Sequence, residues 1–277
     1  RDNELTFGID QNRFDMTATR RKIRSRSFFI TPAVENNQIQ IFDPNNQYQN
    51  LLESVQDNPR LQRLLRVPEG RTNLMAVKTG VTIDHRDNVF NPRRGFVGTT
   101  SIEWARTFLS EPVLRPDGST DEFFSHHLSL VVRGSGYIPI GDRMVLALQG
   151  QYGRVIHLSR ASETYPNRRF FLGGVDTIRA YQQDRMVPQD VAEAANELGG
   201  EFSSVVNQGG NTFLLFRAEL RFPLYDQISA GVFTDVGNLW SDASALNPFK
   251  LRPTIGAGIR IETPIGPVAL DYGINIL

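Results

Sequence analysis

The chain has 277 residues, with 30 Lys and Arg set against 30 Asp and Glu and no cysteine. Balanced charge removes the overall electrostatic case for a nucleic-acid partner, and the lack of cysteine excludes disulfide frameworks and thiolate metal sites. No apolar run reaches the roughly 18 residues of a membrane helix; membrane-spanning strands remain open, because they hide their apolar residues at alternate positions.

This length could hold one large β domain or two smaller ones. The opening residues, RDNELTFGID, lack the basic-then-apolar layout of a secretory signal. An exported chain of this kind is expected either to have lost its signal or to be a fragment.

Period-two alternation runs through most of the chain. Residues 4–10 (ELTFGID) read as a first strand, with Leu5, Phe7 and Ile9 on one face. Residues 27–42 read as a second, or as two short ones around Pro32. The basic cluster between them, residues 20–26 (RRKIRSR), is either a solvated hairpin end or a contact for phosphate headgroups. Residues 50–66 have helical spacing in Leu51, Leu52 and Val55, and again in Leu61, Leu64 and Leu65 beyond Pro59. Two short helices are expected there, capping a loop or lying on a membrane interface.

From residue 73 the strands become regular. Val77, Thr79, Val81 and Ile83 oppose Lys78, Gly80, Thr82 and Asp84. Residues 83–95 read as a turn, from Asn91-Pro92 and Gly95. Strands follow over 96–108, 124–140 and 144–158. His126 and His127, being adjacent, point to opposite faces, so they are read as structural rather than as metal ligands. Residues 182–210 lack strand character, and an irregular connection of about 30 residues requires a function or disorder.

The last four strands alternate most clearly. Leu214, Phe216, Ala218, Leu220 and Phe222 oppose Arg217, Glu219 and Arg221. Ile228, Ala230, Val232 and Val236 oppose Ser229, Gly231, Phe233 and Asp235. Over 254–262 and 268–276 the isoleucine-rich faces oppose Gly256, Gly258, Arg260, Asp271 and Gly273. Strands of about ten residues, glycine mixed with charge on the polar face, and short turns alternating with long connections fit a transmembrane antiparallel β-barrel better than a soluble sandwich.

Before these strands lies residues 168–181, RRFFLGGVDTIRAY. Gly173 and Gly174 permit a backbone folded tightly on itself, and Arg179 is then a single cation on a constrained loop. Buried, it needs anionic partners; at a surface hairpin it would simply be solvated.

These residues resemble the outer-membrane assembly barrels of the BamA and TamA type, the bacterial surface antigen family. Gly173 and Gly174 followed by Ile178, Arg179, Ala180 and Tyr181 are similar to that family's loop signature, in which two glycines precede (V/I)-R-G-(F/Y); alanine at 180 departs from it. Asp84, Arg86, Asp87, Asn88, Pro92 and Gly95 resemble its D-x-R-D-N-x-F-x-P-x-x-G turn. FRAELRFP (216–223), FTDVGNLW (233–240) and GAGIRIETPIGPVALD (256–271) resemble later strands.

The resemblance covers about residues 73–277 and implies an all-β fold. The family barrel has sixteen strands. About ten are visible here by alternation, so an incomplete barrel without periplasmic POTRA domains is expected, with residues 160–210 folded inward. It further implies that Arg179 pairs with Glu219 and Asp235 on the inner wall. The implied function is insertion and folding of β-barrel proteins in the bacterial outer membrane, without enzymatic chemistry, cofactor or metal. Implied partners are outer-membrane lipid, unfolded barrel clients, periplasmic chaperones and accessory lipoproteins. The alternatives are a two-partner secretion pore (FhaC-like) and the barrel of a patatin-fused relative.

Overall fold

Alternation of this length produces strands whose two faces differ in kind, and it places those strands side by side. The computed structural model describes residues 6–22, 25–42, 53, 70–114, 120–197, 209–225, 227–263 and 266–276. The helical spacing of residues 50–66 (Glu53 apart), Glu4 and Leu5, and the glycine pair at 199–200 lie outside the described residues. The long strands are β1 (Thr6–Asp15), β2 (Ala18–Lys22), β3 (Arg26–Phe42), β4 (Gly70–Asp84) and β5 (Gly95–Ser110). A small hairpin, β6 (Pro112–Leu114) and β7 (Thr120–Glu122), stands apart from the main sheet. After it come β8 (His126–Ile140), β9 (Met144–His157), β10 (Thr212–Tyr225), β11 (Ile228–Trp240), β12 (Arg252–Thr263) and β13 (Gly266–Asn275).

The main sheet runs β1-β3-β4-β5-β8-β9-β10-β11-β12-β13, antiparallel throughout, with β2 beside the start of β3. Among the described residues no pairing joins β13 to β1, so the sheet is an open arc of barrel wall. Pro32 does not divide β3, which runs through it for 17 residues. The irregularity falls instead on the neighbour. β1 and β2 pair with successive parts of β3 and break at Met16 and Thr17, where the Met16 N–H reaches the Pro32 carbonyl at 3.2 Å. A proline has no N–H to give to a ladder, so the adjacent strand is where regular pairing lapses.

Burial on the two faces is inverted relative to a soluble protein. Ile30, Ile102, Val132, Phe216, Val232, Ile255, Ile259 and Ile274 are all exposed, and Leu270 and Tyr272 are 79% and 77% exposed. On the opposite face Glu35, Asn37, His127, Gln151, Glu219, Asp235 and Thr254 are buried. A sandwich would pack the apolar rows against a second sheet; here they face outward. Apolar out and polar in is the arrangement of a barrel in lipid.

The inner face is covered by the segment between β9 and β10. That segment contains a helix, α1 (Gln189–Glu197), within the stretch that the sequence marks as irregular. At nine residues α1 is too short to be stable alone, and contacts with the wall hold it.

Candidate functional site

The segment begins in a 3-10 turn, Pro166–Arg168, and then folds tightly at the two glycines. Gly173 and Gly174 have φ of +119° and +90°, a region that side chains avoid. The Gly174 N–H donates to the Tyr181 carbonyl at 2.9 Å, and Thr177 Oγ1 accepts from Gly173 N and donates to Gly173 O. The loop is thereby closed on itself over residues 173–181. Among described non-glycine residues only Asp184 has positive φ. Ala180 therefore sits in ordinary backbone space, and the departure from glycine at this position costs no strain.

The closed loop carries Arg179 onto the inner wall, where its side chain is 2% exposed. Asp235 on β11 takes both arms of the guanidinium fork, from Nε at 2.9 Å and Nη2 at 2.7 Å, and also accepts the Arg179 backbone N–H at 3.1 Å. Nη1 donates to Glu219 Oε2 on β10 at 2.9 Å and to Asp271 Oδ2 on β13 at 3.0 Å. The guanidinium lies 3.3 Å from the centroid of the Phe233 ring, a geometry in which ring and cation attract. Glu219 and Asp235 are the two acids marked by the sequence. Asp271 and Phe233 complete the shell; alternation places both on the polar face but does not show that they converge on one cation.

Three more arginines surround the carboxylates. Arg260 reaches Glu219 at 2.7 Å, Arg221 Nε reaches the same carboxylate at 2.7 Å, and Arg217 Nε reaches Asp235 at 3.3 Å. Arg217 also donates to the carbonyls of Asp176 and Val175 at 3.1 and 3.2 Å, so the wall holds the loop as well as the reverse. The glycines on β12 make room for this cluster. A Cβ on Gly258 would collide with Asp271 Oδ1, and one on Gly256 would collide with the Phe233 ring. A cavity of about 330 Å³ opens beside the network, lined in part by Ser135, Tyr137 and Gln149.

An apolar cluster supports the charges. Leu172, Ile178 and Met186 of the loop pack with Phe213, Leu215 and Leu239 of the wall, flanked by Phe170 and Tyr181. Further on, Asp190 of α1 accepts the Ser241 and Asp242 backbone N–H groups at 2.9 and 3.1 Å. Gln189 accepts from Asn238 and from Arg252, each at 3.0 Å.

The turn residues assemble where β4 gives way to β5, and the strand registers run in one row from Asp84 through Val97, Ser135, Gln149 and Arg217 to Asp235. Arg86 forks onto Asp84 at 2.9 and 2.7 Å and donates to the Val89 carbonyl at 3.2 Å. Asp87 Oδ1 accepts the N–H groups of Asn88, Arg93 and Arg94 at 2.9, 3.0 and 3.2 Å. Asn88 Oδ1 accepts from Phe90 at 2.8 Å. Pro92 is buried, and Gly95 has φ of +100° with a would-be Cβ that would collide with the His85 carbonyl. The Asp87 carboxyl is held below its ordinary value: desolvation opposes this, but the backbone donors of Arg93, Arg94 and Asn88 outweigh it. Tyr137 links this turn to the Arg179 cluster: it interacts with Arg86, lines the cavity beside Arg179 and lies under the Arg221 guanidinium at 5.8 Å.

Known proteins carry the same architecture. The chain is 23% identical over 215 residues to outer membrane protein assembly factor BamA of Nitratidesulfovibrio vulgaris, covering 77% of this chain and 24% of that protein. It is 27% identical over 118 residues to the chloroplastic outer envelope protein 80 of Arabidopsis thaliana, covering 40% of this chain and 13% of that protein. Among solved structures, BamA from Haemophilus ducreyi lacking POTRA domains 1–3 superposes with a TM-score of 0.68 at 17% identity, over 98% of this chain and 51% of that one. CdiB from Escherichia coli gives 0.54 at 15% identity, over 99% and 42%. The chain thus spans about half or less of each of these relatives. The Omp85 superfamily domain matches residues 1–276. The likeness places this barrel wall in the bacterial outer membrane. The chain belongs to the Omp85 superfamily.

Proposed function

We propose that this chain is the wall-and-loop part of a BamA-like assembly factor, which folds and inserts other β-barrel proteins into the outer membrane. A nascent strand carries backbone groups that lipid cannot satisfy, and a barrel wall can template it by strand addition. No covalent step is needed, so the work of the site is positional. The seated loop carries this reading. With Arg179 bonded to Asp235, Glu219 and Asp271 at 2.7–3.0 Å, the loop covers the inner face of the arc at that level, which supports a client handled at the wall over one passed through the interior. The identity to a protein named as an assembly factor over 77% of the chain supports the same reading. Unfolded barrel proteins are the clients, with periplasmic chaperones delivering them and accessory lipoproteins assisting.

The test uses the full-length protein in liposomes, supplied with a urea-unfolded β-barrel client. Assembly predicts folded client in the bilayer, read by heat-modifiable gel migration, at a rate that falls at least tenfold with Arg179→Ala. Client recovered inside the vesicle lumen would instead mark a secretion pore and overturn the proposal.

A further inference from the structure

The loop is held at a second place, on the opposite part of the arc. Arg168 ends the 3-10 turn with its side chain 8% exposed. Its Nη2 donates to Glu35 Oε1 at 2.7 Å and its Nη1 donates to Glu103 Oε1. Glu35, on β3, is fully buried, and Glu103, on β5, is 14% exposed. These strands are not neighbours, because β4 runs between them. A buried and a half-buried carboxylate brought toward one point repel each other unless a cation lies between them. A guanidinium fork, with one arm for each, suits that place better than a flexible ammonium.

The wall also carries its own cations here. Arg13 stands 3.2 Å from Glu35 Oε1, and Lys78 is the cross-strand partner of Glu103 in the β4–β5 register. Removing Arg168 therefore leaves Glu35 beside Arg13, and Glu103 on the strand pair that carries Lys78. The loop depends on the wall.

We propose that Arg168 is a second, independent latch, so that the segment from 168 to 179 is a strut tied at one end to β3 and β5 and at the other to β10, β11 and β13. Leu172 and Ile178, both buried, stiffen the span between the two ties. In this arrangement Arg168 is a positioning residue. It sets the arm of the loop that precedes Gly173, while Arg179 sets the closed part beyond it. Releasing the first tie loosens the arm ahead of Phe170, whose backbone is itself bridged to Gly210, and leaves Arg179 seated. The inference goes beyond the assembly reading and needs no client protein.

These 277 residues contain no cysteine, so pairs of thiols introduced here can be spin-labelled without background once any cysteine elsewhere in the full-length protein is replaced. In the full-length protein in liposomes, one pair is Asn167→Cys with Arg143→Cys, and the other is Arg185→Cys with Arg143→Cys. All three positions are exposed. Pulsed EPR is expected to give narrow distance distributions for both pairs. Arg168→Glu should broaden the first at least twofold and leave the second narrow, and the charge exchange Arg168→Glu with Glu103→Arg should narrow the first again. Arg168→Gln should broaden it in the same direction but less, and serves if the reversal does not fold by heat-modifiable migration. An unchanged first pair in both Arg168 variants, equal broadening of both pairs, or an exchange that restores nothing would overturn the second latch. None of these outcomes bears on client assembly, so the two proposals fail separately.

Discussion

Asp235 engages Arg179 three times, through Nε, Nη2 and the backbone N–H, whereas Asp271 meets the same residue through Nη1 alone. A single carboxylate thus fixes both where the guanidinium lies and how the chain enters it. A fork of this kind is stronger and more directional than a single charged contact.

Loss of Arg179 is expected to leave Asp235 and Glu219 buried beside fewer cations, a cost of about 3–5 kcal/mol to loop docking. Limited proteolysis of Arg179→Ala should therefore cut residues 160–210 at concentrations that spare the parent. Equal resistance would show that the loop does not depend on this residue. Arg179→Lys should be intermediate, since an ammonium cannot form the fork.

The carboxylates should rank by their contacts. Asp235→Asn is expected to weaken docking by about 1.5–3 kcal/mol, the scale of hydrogen bonds to charged groups, and Asp271→Asn by less. Asp235→Arg should be worse than either, because it places a cation against Arg179 and Arg217. Thermal unfolding of the loop, followed by protease sensitivity, measures the order; equal effects at 235 and 271 would contradict it.

Backbone requirements separate position 180 from positions 173 and 174. Gly173→Ala would drive a Cβ into the Gln182 carbonyl at φ of +119°, so about 1–3 kcal/mol of loop stability should go. Ala180→Gly relieves nothing and is expected to change docking by under about 1 kcal/mol. Hydrogen exchange over residues 172–182 would compare the two.

The turn at 85–95 should respond to acid. The folded Asp87 carboxyl titrates below its ordinary value of 3.8. Its contribution is therefore complete above that value and is lost as pH falls through the lower, folded one. Exchange protection at Arg93 and Arg94 should be flat from pH 7 to 5 and fall only below about 3.8. Asp87→Asn should abolish that dependence.

The two faces should tolerate charge differently. Ile259→Arg, on the outward row, is expected to cost about 2–4 kcal/mol if it lies near the bilayer midplane. Ser135→Glu, on the lumenal side beside Arg217 and Arg221, should fold into vesicles at nearly the parental yield. Similar yields for both would argue against a lipid-facing row.

Period two was enough to read the strands, their faces and the chemistry of each face. Side chains alternate strictly along an extended chain, so Glu219, Asp235 and Asp271 had to share the side of Arg217 and Arg260. The paired glycines likewise marked a loop that L side chains could not make. What alternation cannot convey is reach across the lumen. That Arg168 lies against Glu35, 133 residues away, depends on strand stagger and on the path of a loop that no local pattern describes. The same holds for α1, whose nine residues are helical because Asp190 and Gln189 find partners on the wall. Inner-face Phe213, Leu215 and Leu239 interrupt a polar row for the same reason: they meet Leu172, Ile178 and Met186, and only folding brings those surfaces together.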